Sequence, residues 1–123
     1  MHSKHILVVD DEPSIRTLYQ IAFSHSGYEV RVASTGEEAF ELLEEAPAEI
    51  IFLDLNLPGI KGDVLCKKIL DRWPEARMVA ITGNLKSYGE EKCKKAGFHH
   101  VLNKPIQLSD LLQAASEDEK EKI

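Results

Sequence analysis

No apolar run in this chain is long enough to cross a membrane, and no secretory signal pattern opens it, so neither membrane insertion nor export is expected. His2, Lys4 and His5 lead straight into an apolar run, which reads as a structural N-terminus. The two cysteines, Cys66 and Cys93, have no CxxC spacing, which argues against a disulfide framework or a thiolate zinc site. A reducing cytoplasm is the expected compartment. Basic residues number 15 against 21 acidic ones, for a net charge of −6, and no clustered basic face is visible. Direct binding to nucleic acid or to an anionic membrane is therefore not expected. No GxGxxG follows an apolar run, and no repeat or low-complexity segment appears. What remains, 123 residues with 43% hydrophobic and 29% charged side chains, is one ordinary globular domain with a real core.

The stretch around which the chain is organised is Ile50-Ile51-Phe52-Leu53-Asp54, followed by Leu55-Asn56-Leu57-Pro58-Gly59. A short, unbroken apolar run reads as a strand buried on both faces, the habit of parallel sheets. Asp54 then stands at the carboxyl end of a central strand, just before a Pro-Gly turn. In open α/β sheets ligands bind outside those ends. Taken alone, Asp54 reads more readily as a turn residue than as a site residue.

The other units repeat the pattern. Ile6–Val9 is a buried strand followed by Asp10-Asp11-Glu12 and by Pro13, suited to the first turn of a helix. That helix carries Ile15, Leu18, Tyr19 and Ala22 at helical spacing and closes at Gly27. Val30, Val32 and Ala33 form a strand nearer the edge. Thr35 and Glu38 then have capping-box spacing before Ala39, Leu42, Leu43 and Ala46, and Pro47 ends the helix. After the Pro58-Gly59 turn, Cys66, Ile69, Leu70 and Trp73 form a third helical stripe that stops at Pro74. Met78–Ile81 is a fourth strand ending in Thr82. A fourth helix, roughly Lys86 to Ala96, has a thin apolar face, contains Gly89 and is capped by Gly97. His100-Val101-Leu102 is a fifth strand ending in Asn103-Lys104-Pro105. Leu108, Leu111, Leu112 and Ala115 stripe the last helix, and the charged stretch from Ser116 to Ile123 is expected to fray or to begin a linker. The fold class is α/β: a doubly wound (βα)5 flavodoxin-like sandwich, five parallel strands in the order 2-1-3-4-5 with helices on both faces.

In that order the first and third strands are neighbours, so Asp10, Asp11 and Asp54 share one cleft. Like charges so close require a proton or a cation. Two or three Asp oxygens, a backbone carbonyl and waters describe a Mg²⁺ site, for which Mn²⁺ can substitute. A Lys ammonium and a Thr hydroxyl at neighbouring strand ends, Lys104 and Thr82, complete an arrangement suited to phosphoryl transfer with Asp54 as nucleophile.

Asp10-Asp11, Asp54, Leu57-Pro58 with Gly62, Thr82 and Lys104-Pro105, each at the end of the matching strand, resemble the signature of response-regulator receiver domains, with the fold of the chemotaxis regulators. The resemblance spans about Lys4 to Ser116. It implies that Asp54 accepts a phosphoryl group from a histidine kinase or a histidine phosphotransfer protein. It also implies that Asp11, Asp54 and the Asn56 backbone carbonyl bind Mg²⁺ directly, with Asp10 acting mainly through a water. Lys104 would pair with one phosphoryl oxygen and Thr82 with another, and the Lys104–Pro105 peptide is expected to be cis. Four positions depart from or modulate the pattern. Val101 stands where a Tyr or Phe usually completes the switch with Thr82. Lys61 replaces the usual polar residue before Gly62, which affects helix capping. Asn56 and Asn84, both neutral amides, occupy positions that bear on phosphoryl lifetime.

The implied module is a signalling phosphoacceptor rather than a metabolic enzyme, although it assists its own phosphorylation and dephosphorylation. Residues 1–117 form the receiver domain and residues 118–123 a charged tail or the start of a linker. Its partner surface is expected around the fourth helix, fifth strand and fifth helix, with Tyr88 as a candidate contact. Downstream stands an output protein or fused output domain, although none is visible in the chain. Phosphorylation-dependent dimerisation belongs to the same expectation. The alternative is a receiver-like interaction domain that is never phosphorylated. A phosphatase of the haloacid-dehalogenase type is disfavoured because Asn56 stands where it needs a second Asp. A flavin or dinucleotide binder is disfavoured because clustered carboxylates repel phosphate. His99-His100 reads as a pair at a strand start rather than a ligand set, and both cysteines read as core.

Overall fold

The apolar runs without alternation become the strands that are covered on both faces. In the computed structural model, which describes residues 4–24, 27–83 and 89–120, these are β1 (Lys4–Val9), β3 (Ile50–Asp54) and β4 (Arg77–Thr82). The less apolar β2 (Tyr28–Ala33) and β5 (His100–Asn103) take the edges, where their residues stay largely half-buried. All pairings are parallel and the order is β2-β1-β3-β4-β5, as the strand pattern predicts.

Alternation along the strands divides the core in two. Ile6 and Val8, Ile50 and Phe52, and Val79 and Ile81 pack with Tyr19, Ala22 and Phe23 of α1 (Pro13–Ser24). Leu111, Ala114 and Ala115 of α5 (Leu108–Lys120) complete that layer. Leu7 and Val9, Ile51 and Leu53, and Met78 and Ala80 face the opposite layer. It is supplied by α2 (Gly36–Glu45), α3 (Gly62–Arg72) and α4 (Glu90–Ala96) through Leu43, Leu65, Ile69 and Ala96 among others. Each fully buried Leu, Ile or Phe contributes about 1.5–3 kcal/mol by leaving water, which outweighs the modest helix propensities involved. Cys66 and Cys93 are both core residues and neither forms a disulfide among the described residues. Burial, with Cys93 nearby, pushes the Cys66 thiol up to about 12, so it carries no nucleophile at neutral pH.

Local chemistry sets the helix ends. Thr35 Oγ1 accepts from Glu38 N–H at 3.1 Å, and Glu38 Oε1 reaches back to Ser34 N–H at 2.6 Å, one residue earlier than an ideal capping box. Arg31 on β2 donates to the carbonyls of Leu42 and Ala46, both at 2.6 Å, and so satisfies orphan acceptors at the end of α2. Lys61 is the N-cap of α3 and makes no side-chain cap bond. The start of α3 is secured instead by Gly62, which lies so close to the chain after β3 that a Cβ there would sit 2.9 Å from Leu55 Cα.

Two helix boundaries and one buried seam differ from the sequence reading. Gly89 is not inside α4 but caps its start at φ +82°, a conformation suited to glycine, and the helix runs Glu90–Ala96. The expected start at Lys86, with Asn84 and Tyr88, lies outside the described residues. Gly97 caps the other end in the left-handed region, as predicted. In α5 the buried seam is Leu111, Ala114 and Ala115, while Leu108 and Leu112 are exposed. The seam is rotated because an i, i+3, i+4 set can pack on the sheet and the flanking leucines then point outward. The same helix continues to Lys120 rather than fraying at Ser116.

Gly62→Ala is expected to destabilise the domain by about 1–3 kcal/mol, because its methyl meets the Leu55 backbone at 2.9 Å as well as the Leu55 side chain, and moving the side chain does not relieve the backbone contact. Urea unfolding checks this, and a variant as stable as the parent would show that the α3 start can move.

Candidate functional site

Because β1 and β3 are neighbours in register, their carboxyl ends finish side by side. Asp54 is the last residue of β3 and Asp10 follows β1 directly, its N–H donating to Ala33 C=O at 2.9 Å. Asp10 and Asp54 are 1% and 2% exposed, and Asp11 is exposed. One carboxylate oxygen from each of the three lies within 4.8 Å of the others. Asp10, Asp11 and Asp54, read from the sequence as one cluster, are brought together.

Backbone N–H groups hold the two buried acids. Glu12 N–H donates to Asp10 Oδ1 and Asn56 N–H to Asp54 Oδ1, both at 2.9 Å. These Asx-type contacts, two residues on from each Asp, were not singled out from the sequence, although Asp followed by a turn is their signature. Asp54 Oδ2 faces Lys104 Nζ at 3.4 Å. Lys104 is positioned from the edge of the sheet: its N–H donates to Thr82 C=O at 2.8 Å, and the Lys104–Pro105 peptide is cis. Thr82 ends β4 and is 1% exposed. Asn56 is exposed in the turn directly after Asp54. Val101 is half-buried on β5 and packs against the core on the α2, α3 and α4 side.

The electrostatics are unbalanced by one partial pair against three acids. Burial, with Asp54 close by, pushes the Asp10 carboxyl up to about 6 against the bond from Glu12 N–H. Asp10 Oδ2 is buried and has no hydrogen-bond partner among the described residues. A buried orphan carboxylate oxygen beside two further carboxylates is the donor set of a hard, oxygen-preferring dication, so the residues present fit Mg²⁺. The exposed side of Asp11 leaves room for waters in its shell.

The site is a doubly wound parallel sheet with three carboxylates at its switch point, a lysine beside Asp54 and a buried threonine at the next strand end, the arrangement of an acidic-pocket α/β domain. The chain belongs to the response regulator receiver domain family, whose model matches residues 6–116. It is 35% identical over 104 residues to the alkaline phosphatase synthesis transcriptional regulatory protein PhoP of Bacillus subtilis, covering 85% of this chain and 43% of that protein. It is 31% identical over 108 residues to the sensor histidine kinase RcsC of Salmonella typhi, covering 88% of this chain but 11% of that one. The chain thus spans less than half the length of these relatives. Among solved structures, a CheY-like receiver domain protein from Methanospirillum hungatei superposes with a TM-score of 0.90 at 29% identity, covering 98% of each chain. The chemotaxis response regulator CheY4 of Vibrio cholerae superposes at 0.86 with 25% identity, over 94% of this chain and 98% of that one.

The Asp10 shift has a sign that can be checked. Its carboxyl holds a proton more tightly when folded, about 6 against an ordinary 3.8. Stability from this group is therefore full below about pH 4, falls through the window from 4 to 6, and is lowest above it. Asp10→Asn is expected to stabilise the metal-free protein above pH 6 by on the order of 2 kcal/mol, with the gain closing towards pH 4. Thermal melts in chelator across that range test it; a gain independent of pH, or a loss, would contradict the assignment.

Proposed function

We propose that the chain is the phosphoacceptor of a two-component phosphorelay, taking a phosphoryl group on Asp54 from a phosphohistidine on a histidine kinase or phosphotransfer protein. The single observation that carries this reading is the apposition of Asp10, Asp11 and Asp54 with Lys104 beside Asp54. Asp11, Asp54 and the Asn56 carbonyl would hold Mg²⁺, with Asp10 in support. The ion, when bound, neutralises the charge that keeps two anions apart.

The rest falls to the chain's own residues. Asn56 N–H holds Asp54 Oδ1, which fixes the carboxylate plane and keeps Oδ2 facing Lys104. An oxygen of Asp54 attacks phosphorus, the P–N bond to the donor histidine breaks, and an acyl phosphate forms on Asp54. Lys104 then pairs with a phosphoryl oxygen and Thr82 hydrogen-bonds another. The Thr82 carbonyl already accepts from Lys104 N–H, so a shift at Thr82 is felt directly at the end of β5. Val101 has no ring to turn inward, so we infer that the signal reaches the α4, β5 and α5 face through this backbone coupling. Residues 1–117 serve as the receiver unit, and α5 continues from it into the charged tail. The relatives include a transcriptional regulatory protein and a sensor histidine kinase, which supports a kinase as donor and an output domain or protein as receiver of the signal. No helix is long and apolar enough to cross a membrane among the described residues, which is compatible with the cytoplasmic setting we infer.

Incubation with Mg²⁺ and acetyl phosphate, read by intact mass, is expected to add one phosphoryl group to the parent and none to Asp54→Asn. Lys104→Ala is expected to react roughly tenfold or more slowly, having lost the cation that meets the incoming charge. A parent that stays unmodified, also with a cognate kinase, would instead support the unphosphorylated interaction domain. On phosphorylation, amide exchange is expected to change across residues 89–105; an unchanged profile there would remove the proposed route to the partner face.

A further inference from the structure

The pair His99-His100, at the start of β5, has no part in the phosphotransfer reading, yet both rings help to hold that strand. Met78 of β4 is 0% exposed and meets His99 twice. Its C=O accepts from His99 N–H at 2.8 Å, and its N–H donates to the ring Nδ1 at 3.0 Å. A ring nitrogen thus stands where a backbone carbonyl would ordinarily continue the ladder. On the neighbouring residues the guanidinium of Arg77, which can only donate, meets His100 Nε2 at 2.9 Å. Both rings act as acceptors, and for His99 this selects the neutral form with its proton on Nε2.

β5 depends on such contacts more than a central strand does. It is four residues long and lies at the edge, paired with β4, and its far end is held by Lys104 N–H on Thr82 C=O at 2.8 Å. An imidazolium carries N–H on both nitrogens and accepts nothing. Protonation of His99 therefore removes the acceptor of the Met78 N–H and sets two donors face to face. His99 is exposed, so solvent protons reach it, whereas the Met78 N–H is buried and costly to leave unpaired. Among the described residues, the charged and titratable groups at this corner come from three elements. Lys94 of α4 lines one cleft of about 280 Å³ with His99 and His100, and the thiol of Cys93 is buried in the core layer that Met78 shares. Arg77 of β4 stands behind His100, its own N–H held by Glu49 C=O at 2.9 Å. Lys94 and Arg77 are cations, and neither gives an imidazolium a counter-charge.

We propose that His99 is a proton-sensitive clamp on β5. It is closed onto Met78 while the ring is neutral and released in mild acid, so that the turn from α4 and the start of β5 loosen while Lys104 keeps its place. The clamp is independent of the phosphotransfer reading; its meaning for signalling rests on the partner face proposed above, of which β5 is a part.

The test is amide hydrogen exchange by NMR on the full chain in chelator, at about pH 7.5 and about pH 5.5, either side of the ordinary imidazole value. Each rate is divided by its intrinsic value at that pH. In the parent, protection of the Met78 amide is expected to fall roughly tenfold or more in acid, while amides of β1 and β3 hold theirs. Asp10 works in the opposite direction, since protonating it over this window stabilises the domain. His99→Asn sets Oδ1 near the place of Nδ1 and is expected to keep Met78 protected at both pH values. His99→Phe keeps a ring without an acceptor and is expected to leave Met78 poorly protected at both. A Met78 amide equally protected at both pH values in the parent would overturn the inference. So would a loss in acid that persists in His99→Asn, which would move the titrating group elsewhere, to His100 first. Neither result touches the phosphotransfer reading, and a parent that takes no phosphoryl group leaves the clamp standing.

Discussion

Three carboxylates held within 4.8 Å of one another, two of them almost wholly buried, are the constraint on which the rest of this domain depends. Among the described residues no side chain neutralises them fully. Lys104 reaches one oxygen at 3.4 Å, backbone N–H groups hold two others, and Asp10 Oδ2 is left over. An arrangement that costs stability persists only where the surrounding structure imposes it. Here the imposing structure is the parallel pairing of β1 with β3, whose apolar residues are buried on both faces.

The same sheet ties the pocket to a distant surface. Thr82 ends β4, Lys104 directly follows the neighbouring β5, and the two are joined by a backbone hydrogen bond, so the pocket's cation and hydroxyl are tied at the end of one ladder. β5 is an edge strand with half-buried residues, followed by a helix whose Leu108 and Leu112 are exposed. A sheet that is rigid at β1, β3 and β4 and loosely covered at β5 lets a local charge change be felt at one edge without disturbing the core.

Much of this was legible in the residues. Unbroken apolar runs such as Ile50–Leu53 identified the central strands, because only burial on both faces tolerates them. The strand order then followed from short right-handed crossovers, and the acid cluster from the order. What was not legible depends on rotation and on backbone contacts. Apolar identity alone does not separate Leu111, which packs, from Leu112, which does not, since both fall within one turn of the same stripe. Gly89 reads as a weak point inside a helix or as its cap with equal ease until its φ of +82° is known. The backbone donors at Glu12 and Asn56 arise from how the strands and their following turns are stacked. A pattern of side-chain types does not encode that.

The central claim is that this pocket is built around a divalent cation, and the most direct measurement is thermal stability against Mg²⁺ concentration at pH 7 and constant ionic strength. Binding to the folded state alone must raise the melting temperature in a saturable way, by an amount set by the ratio of ion to Kd. The account predicts such a rise in the parent, reproduced by Mn²⁺, and its loss in Asp54→Asn. A melting temperature indifferent to Mg²⁺, or one raised equally by matched sodium chloride, would mean that the carboxylates are merely screened, and would contradict it.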